Sequence, residues 1–183
     1  MPIDFCNIAK IENILKSYSK GVQGMEGKNY WERLKILKIN SLQRRMERYR
    51  IMFIWKTITG KVPNFGLIWD MNPRRGRMVD IRTYKSDIPA QAENLIDQSL
   101  GVHGGRLFNL LPIDIRNFEG TTDEFKTRLD DFLKDIPDKL QCDGLYPDPI
   151  NSSNCKNSNS VIDWVPNLNM RNRRKYEDPQ KET

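Results

Sequence analysis

The chain has 183 residues, of which 30 are Lys or Arg and 24 are Asp or Glu, so its net charge at pH 7 is +6. Hydrophobic residues make up only 38%, which leaves room for one domain or two small ones and predicts that part of the chain lies outside the core. Without an apolar run of about 18 residues, a recognisable leader or closely spaced cysteines, we expect a protein with no membrane contact, in the nucleus or cytoplasm.

The first part of the chain shows helical spacing of apolar residues. We expect a first helix from Asp4 to about residue 20, and a second over residues 30–39 that begins with an Asn29–Glu32 capping box. Ser41 begins a third, longer helix that ends near residue 59. Its apolar stripe is predicted at Leu42, Met46, Tyr49 and Phe53, and residues 51–55 are predicted to be the most buried part of the chain.

The signals weaken between residues 63 and 100, where Met78–Tyr84 alternates like a short strand. The glycines around His103, at 101, 104 and 105, predict a flexible loop with a solvated histidine. Residues 106–111 form a short apolar element, and a last helix begins at Thr121 and stops at Pro137. Beyond Tyr146, Asn, Ser and Pro dominate and predict disorder, although residues 161–164 are apolar enough to dock on the core.

These elements predict a mainly helical fold: a small helical domain with a possible short β-hairpin and a disordered C-terminal tail. We divide the chain into a helical core with basic helices (1–62), a basic loop region (63–105), an α-rich unit with an acidic helix (106–145) and a low-complexity tail (146–183).

The residues of most catalytic sites are missing. One histidine cannot supply the usual acid–base designs, and no phosphate loop, dinucleotide fingerprint or zinc-type spacing occurs. Adjacent Asp130 and Asp131 resemble polymerase metal ligands, but they fall on the outer face of the last helix, where we expect a solvated surface. We therefore predict no catalytic residue, no metal site and no cofactor, and hence no enzyme.

Positive charge is concentrated in two stretches. Residues 32–56 carry eight basic and two acidic side chains, and residues 74–85 carry five and one, whereas residues 119–143 are acidic. Such a distribution is typical of a surface that binds a polyanion. The nucleic-acid-binding residues predicted from it are Arg44, Arg45 and Arg48 on the long helix and Arg74, Arg75 and Arg77 in the basic turn.

Two alternatives remain open for this charge. The arginines contact RNA or DNA phosphates, or they form a solvated face that docks on the acidic helix, in which case part of the charge is already neutralised. Trp31, Tyr49 and Trp55 are placed to stack on bases, but their spacing fits the core better.

A series of blocks resembles the C-terminal region of reverse transcriptases (RNA-directed DNA polymerases) encoded by non-LTR, LINE-like retrotransposons. In order, they are NYWERLK at 29–35, SLQRR at 41–45, ERY at 47–49, FIWK at 53–56, GKVPN at 60–64, RRGR at 74–77, RLFNLLP at 106–112, IRN at 115–117, FK at 125–126, IPD at 136–138 and NSVIDW at 159–164. These matches extend over most of the chain.

The resemblance implies a noncatalytic segment that follows the polymerase modules, because the family's palm, which carries the catalytic aspartates, precedes this region. The partners it implies are an RNA or DNA backbone and the upstream polymerase domains of the parent element. The alternative is a decayed retroelement remnant or a protein-interaction module that binds no nucleic acid.

Overall fold

A computed structural model describes residues 5–81, 97, 99–138 and 159–165, with side chains from residue 10 onward. The described part is mainly helical and contains one antiparallel hairpin, which confirms the predicted fold class. The elements are α1 (Phe5–Lys20), α2 (Tyr30–Leu37), α3 (Leu42–Ile58), β1 (Trp69–Asn72), β2 (Gly76–Val79), a π-helix (Leu100–Gly104), α4 (Gly105–Asn109), α5 (Ile113–Arg116) and α6 (Thr122–Lys134).

The predicted helix starts are confirmed because the capping side chains satisfy the first free N–H groups. Reciprocal capping boxes begin α2, with Asn29 and Glu32, and α6, with Thr121 and Glu124. At the start of α3, the Ser41 hydroxyl accepts a hydrogen bond from the Arg44 N–H.

The core forms around the second half of α3, as predicted. Trp55 is fully buried and stacks on Phe125 of α6, with ring centres 4.2 Å apart and planes 5° from parallel. Its indole N–H donates to the Phe118 carbonyl at 3.1 Å. Described residues of all four predicted segments share this core, which includes Ile51, Val79, Leu107, Leu129 and Val161.

The buried face of the first half of α3 is formed by other residues than predicted. The expected stripe through Tyr49 is wrong, since the Tyr49 side chain is 66% exposed. The buried face instead runs from Ile54 and Ile51 back to Glu47 and Arg44, at the same three- and four-residue spacing. Two charged side chains therefore continue the apolar face of this helix into the protein interior.

The predicted basic turn at residues 74–77 falls on the hairpin: residues 73–75 connect β1 and β2, and Gly76 and Arg77 begin β2. Trp69 pairs with Val79 and Asn72 with Gly76, so the hairpin includes a first strand that the sequence pattern did not indicate. Gly76 has a φ of +71°, and an added Cβ would lie 2.6 Å from the Asn117 side chain, so two constraints require glycine there. Of the strand predicted at Met78–Tyr84, only residues 78 and 79 are in β2, residues 80 and 81 follow the strand, and residues 82–84 lie outside the described residues.

The predicted glycine loop around His103 is helical instead. Gly104 and Gly105 join the π-helix to α4, and their missing side chains let α3 and β2 pack closely, near Ile54 and Val79 respectively. His103 is half-buried, so the expectation of a solvated histidine is wrong. Burial, together with the nearby Arg50 and Arg106, lowers the pKa of His103 to about 4, and Asp163 opposes this shift.

A short C-terminal segment docks on the core, as predicted for residues 161–164. Residues 161–165 form one helical turn, and Val161 is fully buried. The buried Glu47 carboxylate accepts hydrogen bonds from the Ser160 hydroxyl and from the Val161 N–H, the latter at 3.0 Å. The rest of the predicted tail lies outside the described residues. Among the described helices, none is both long and apolar enough to cross a membrane.

Candidate nucleic-acid interface

Arg44 is a structural residue. Its side chain lies where α3 crosses the end of α6 and is only 1% exposed. The guanidinium donates to the carbonyls of Leu133 and Ile136, both at 3.2 Å, and of Pro137 at 3.0 Å. The Leu133 carbonyl belongs to the last turn of α6 and the other two follow the helix, at the end where a cation interacts favourably with the helix dipole. The prediction that Arg44 faces outward is wrong, because a guanidinium enclosed in this way cannot reach a phosphate.

Arg48 is paired with the acidic helix. Its Nε and Nη2 atoms donate to the two Asp130 carboxylate oxygens at 2.5 and 2.8 Å, which is the bidentate geometry of strong Arg–carboxylate pairs. This hydrogen bonding raises the pKa of Arg48. The alternative of charge docked on the acidic helix is thus realised for Arg44 and Arg48. The interpretation of Asp130 as solvated surface is wrong in part, since its carboxylate is 41% exposed but paired.

Arg33, another member of the basic stretch, is also consumed internally. It is buried and donates to the Ser19 hydroxyl and to the carbonyls of Lys28 and Lys16, so it holds the end of α1. The same joint contains Glu12, which accepts hydrogen bonds from the Tyr30 hydroxyl and the Leu42 N–H. Much of the positive charge of residues 32–56 therefore connects helices.

Three of the other basic side chains of this stretch, Lys35, Lys38 and Arg45, border an open groove between α2, the start of α3 and the end of α6. The groove has a volume of about 1180 Å³ and is lined by six basic and four acidic side chains. Lys35, Lys38 and Arg45 form no ion pair with any described residue. Of the three predicted long-helix arginines, only Arg45 retains its charge for a ligand. We call the groove between α2, the start of α3 and the end of α6 the basic groove.

Two aromatic side chains also line the basic groove. Trp31 and Lys35 share one face of α2, four residues apart, and Lys38 lines the groove as the left-handed residue that ends the helix. Tyr49 lies one turn after Arg45 on α3. The expectation that these aromatic residues belong to the core is wrong for Tyr49, which is exposed, and for Trp31, which is half-buried outside the core, whereas Trp55 is a core residue as predicted. Counting back from Ile51 and Ile54 at helical spacing places Tyr49 on the exposed face of α3, and this was the sequence signal that would have identified it.

The walls of the groove are held by direct contacts. Ser41 donates from its N–H and its hydroxyl to the two Asp138 oxygens, each at 2.7 Å, which fixes the end of α6 beside the start of α3. The Asn159 amide donates to Ser41 and Asp138 at the same point. Arg44 and the Arg48–Asp130 pair complete this clamp, so the groove is formed by rigid elements.

The second predicted cluster lies elsewhere. Arg77 pairs with Glu119, and its N–H donates to the Asn117 side chain near the Trp55 end of α3. Arg74 and Arg75 are exposed at the tip of the hairpin and form no ion pair with a described residue. The structure therefore brings Arg45 and the hairpin arginines to opposite ends of α3.

Within the described ranges, no group of three or more His, Cys, Asp or Glu residues has the geometry to hold a metal ion. No family model, curated protein or solved structure matches the chain.

Proposed function

We propose that the chain is a noncatalytic segment of a retroelement reverse transcriptase, of the C-terminal kind that its sequence resembles, and that it binds RNA or DNA phosphates in the basic groove. The observation that carries the proposal is the presence of Lys35, Lys38 and Arg45 in one groove, where none of them forms an ion pair with a described residue. The ordered sequence blocks support the retroelement origin.

The groove supports weak, salt-dependent binding rather than a tight site. Three unpaired cations face two exposed acids at the rim, Glu32 and Asp135. Binding to phosphates releases counterions, so affinity falls as salt rises, with a slope set by the number of contacts. Three contacts to a single strand predict a slope of about 2 in log affinity against log salt concentration.

The test is fluorescence anisotropy with a labelled RNA of about 12 nucleotides and a matched duplex DNA, over about 50–300 mM salt. The variant carries Lys35→Gln, Lys38→Gln and Arg45→Gln, which remove three charges without touching the clamp. A control with Lys10→Gln, Lys20→Gln and Lys61→Gln removes the same charge elsewhere on exposed positions. We expect the groove variant to lose most of the affinity and of the salt slope, and the control to retain most of both.

Equal losses in both triple variants would show that net charge alone drives binding and would contradict the groove. Absence of binding by the folded wild-type chain at the lowest salt would contradict the function itself. A third variant, Arg74→Gln with Arg75→Gln, measures whether the hairpin tip contributes contacts of its own.

A different surface favours the alternative of a protein-interaction module. On α1, Ile11, Ile14 and Tyr18 are exposed on neighbouring turns. Exposed Lys10, Lys16 and Lys20 flank them, while the carboxylate of Glu12 is occupied by Tyr30 and Leu42. This charge disfavours a second copy of the chain and fits an acidic amphipathic helix of a partner protein.

A synthetic acidic amphipathic peptide tests this second function. We expect it to bind the wild-type chain and to fail to bind a variant with Ile14→Ser and Tyr18→Ser. Equal binding of a scrambled peptide of the same composition would show that the lysines act without the apolar face, and would contradict a helix-docking site.

A further inference from the structure

Two aromatic rings and three cations without ion-pair partners among the described residues line the basic groove. We infer that the groove selects a short single-stranded segment of nucleic acid, whose bases stack on Trp31 and Tyr49 while its phosphates meet Lys35, Lys38 and Arg45. This inference rests on the proposed function and names the substrate class of the same site.

Each wall of the groove pairs an aromatic ring with cations. On α2, Trp31 stands on the same face as Lys35, and Lys38 lines the groove directly after the helix; on α3, Tyr49 stands on the same face as Arg45. Alternation of a ring and a cation matches the alternation of base and phosphate along a single strand, and every base offers a face for stacking. A duplex keeps its bases stacked inside, where these rings cannot reach their faces.

Each of the two rings packs against a neighbouring side chain. Tyr49 is 66% exposed, and the Arg48 guanidinium lies 5.9 Å from its ring centre while Asp130 holds that guanidinium in place. Trp31 is half-buried and packs against the buried Tyr30, with ring centres 5.0 Å apart. Rings held in this way lose little conformational entropy when a base stacks on them.

The acids of the groove further disfavour a duplex. Glu32 and Asp135 are exposed at the rim, and Asp130 lies in the wall. A duplex presents two dense rows of phosphates that would approach these carboxylates. A single strand is flexible enough to place its phosphates on the cations and its bases on the rings, so the mixed charge of the groove favours it.

The experiment compares the same labelled RNA, a single-stranded DNA of matched sequence and a duplex, using the full chain. We expect the wild-type chain to bind both single strands at least about tenfold more tightly than the duplex at equal salt. Combining Trp31→Leu with Tyr49→Leu is expected to weaken single-strand binding about tenfold or more, with the salt slope unchanged, because stacking releases no counterions. Trp31→Phe and Tyr49→Phe retain a stacking face and should retain most of the affinity.

Fluorescence gives a second readout. The chain contains four tryptophans, and the part of the single-strand-induced quenching that arises from Trp31 should disappear in Trp31→Phe while binding persists. Circular dichroism confirms that each variant remains folded.

The results separate this inference from the proposed function. If the triple charge variant loses binding while the leucine variant does not, the groove binds phosphates and the stacking inference is wrong. If the wild-type chain binds duplex as tightly as single strands, strand selection is likewise refuted. If no nucleic acid binds, both proposals fail.

Discussion

Arg44 provides the sharpest test of the structure, because the sequence pattern placed it outside and the structure encloses it. The substitution Arg44→Ala removes a guanidinium that donates to the carbonyls of Leu133, Ile136 and Pro137. The hydrogen bonds to the first two are fully buried, whereas the third is partly buried, so water can replace Arg44 most readily at Pro137.

The size of the effect follows from these contacts. A hydrogen bond from a charged donor contributes about 1.5–3 kcal/mol, and each buried polar group left without a partner costs about 1–3 kcal/mol. With the buried Ile136 carbonyl left without a partner, the Leu133 carbonyl left with only its backbone donors, and a cavity at the joint of α3 and α6, we expect the free energy of unfolding to fall by about 3–5 kcal/mol. At about 2–4 °C per kcal/mol for a chain of this size, the melting temperature should fall by roughly 6–20 °C.

Urea unfolding followed by tryptophan fluorescence measures this loss, with Arg74→Ala as the matched control. Arg74 is exposed at the hairpin tip, so its removal should change stability by less than about 0.5 kcal/mol. Arg44→Lys, which retains the charge but not the planar fork, should lie between wild type and alanine. A loss below about 1 kcal/mol for Arg44→Ala would refute the buried clamp and return Arg44 to the surface.

Three further predictions concern the groove wall, the C-terminal segment and pH. Asp130→Asn should lower the free energy of unfolding in urea by less than about 1 kcal/mol, since the carboxylate is partly exposed. Because it releases Arg48, the same substitution should tighten single-stranded RNA binding and steepen its salt slope by about 0.7. Weaker binding would contradict this prediction. Glu47→Gln should cost about 2 kcal/mol, because its amide faces donors at residues 160 and 161, whereas exposed Glu26→Gln should be neutral in the same assay. Because the pKa of His103 is lowered to about 4 in the folded state, the unfolded chain binds more protons than the folded chain below pH 6.5. The free energy of unfolding therefore falls as pH drops from 7 to 5, by at most about 2 kcal/mol because the ring is partly accessible to water. His103→Gln should flatten that part of the pH profile, and an unchanged profile would contradict the assignment.

Local chemistry in the sequence determined where the helices begin. The capping boxes at Asn29 and Thr121 and the cap at Ser41 satisfy free N–H groups within three residues. The helix starts can therefore be predicted without knowledge of any distant contact. The apolar end of α3, from Ile51 to Trp55, was equally predictable, because its hydrophobicity leaves no alternative to burial.

The sequence also determined the charge distribution, but only the tertiary structure decided which charges are available to a ligand. Counting back from Ile54 and Ile51 by three and four residues leads to Glu47 and Arg44, so the periodicity itself was present. Burial of these two residues is favourable only because residues 133–137 supply carbonyl acceptors and residues 160–161 supply donors, about a hundred residues away in the sequence. Long-range polar partners are invisible to periodicity, and for that reason three arginines that look equivalent in sequence become a buried clamp at Arg44, an ion pair at Arg48 and an unpaired cation at Arg45.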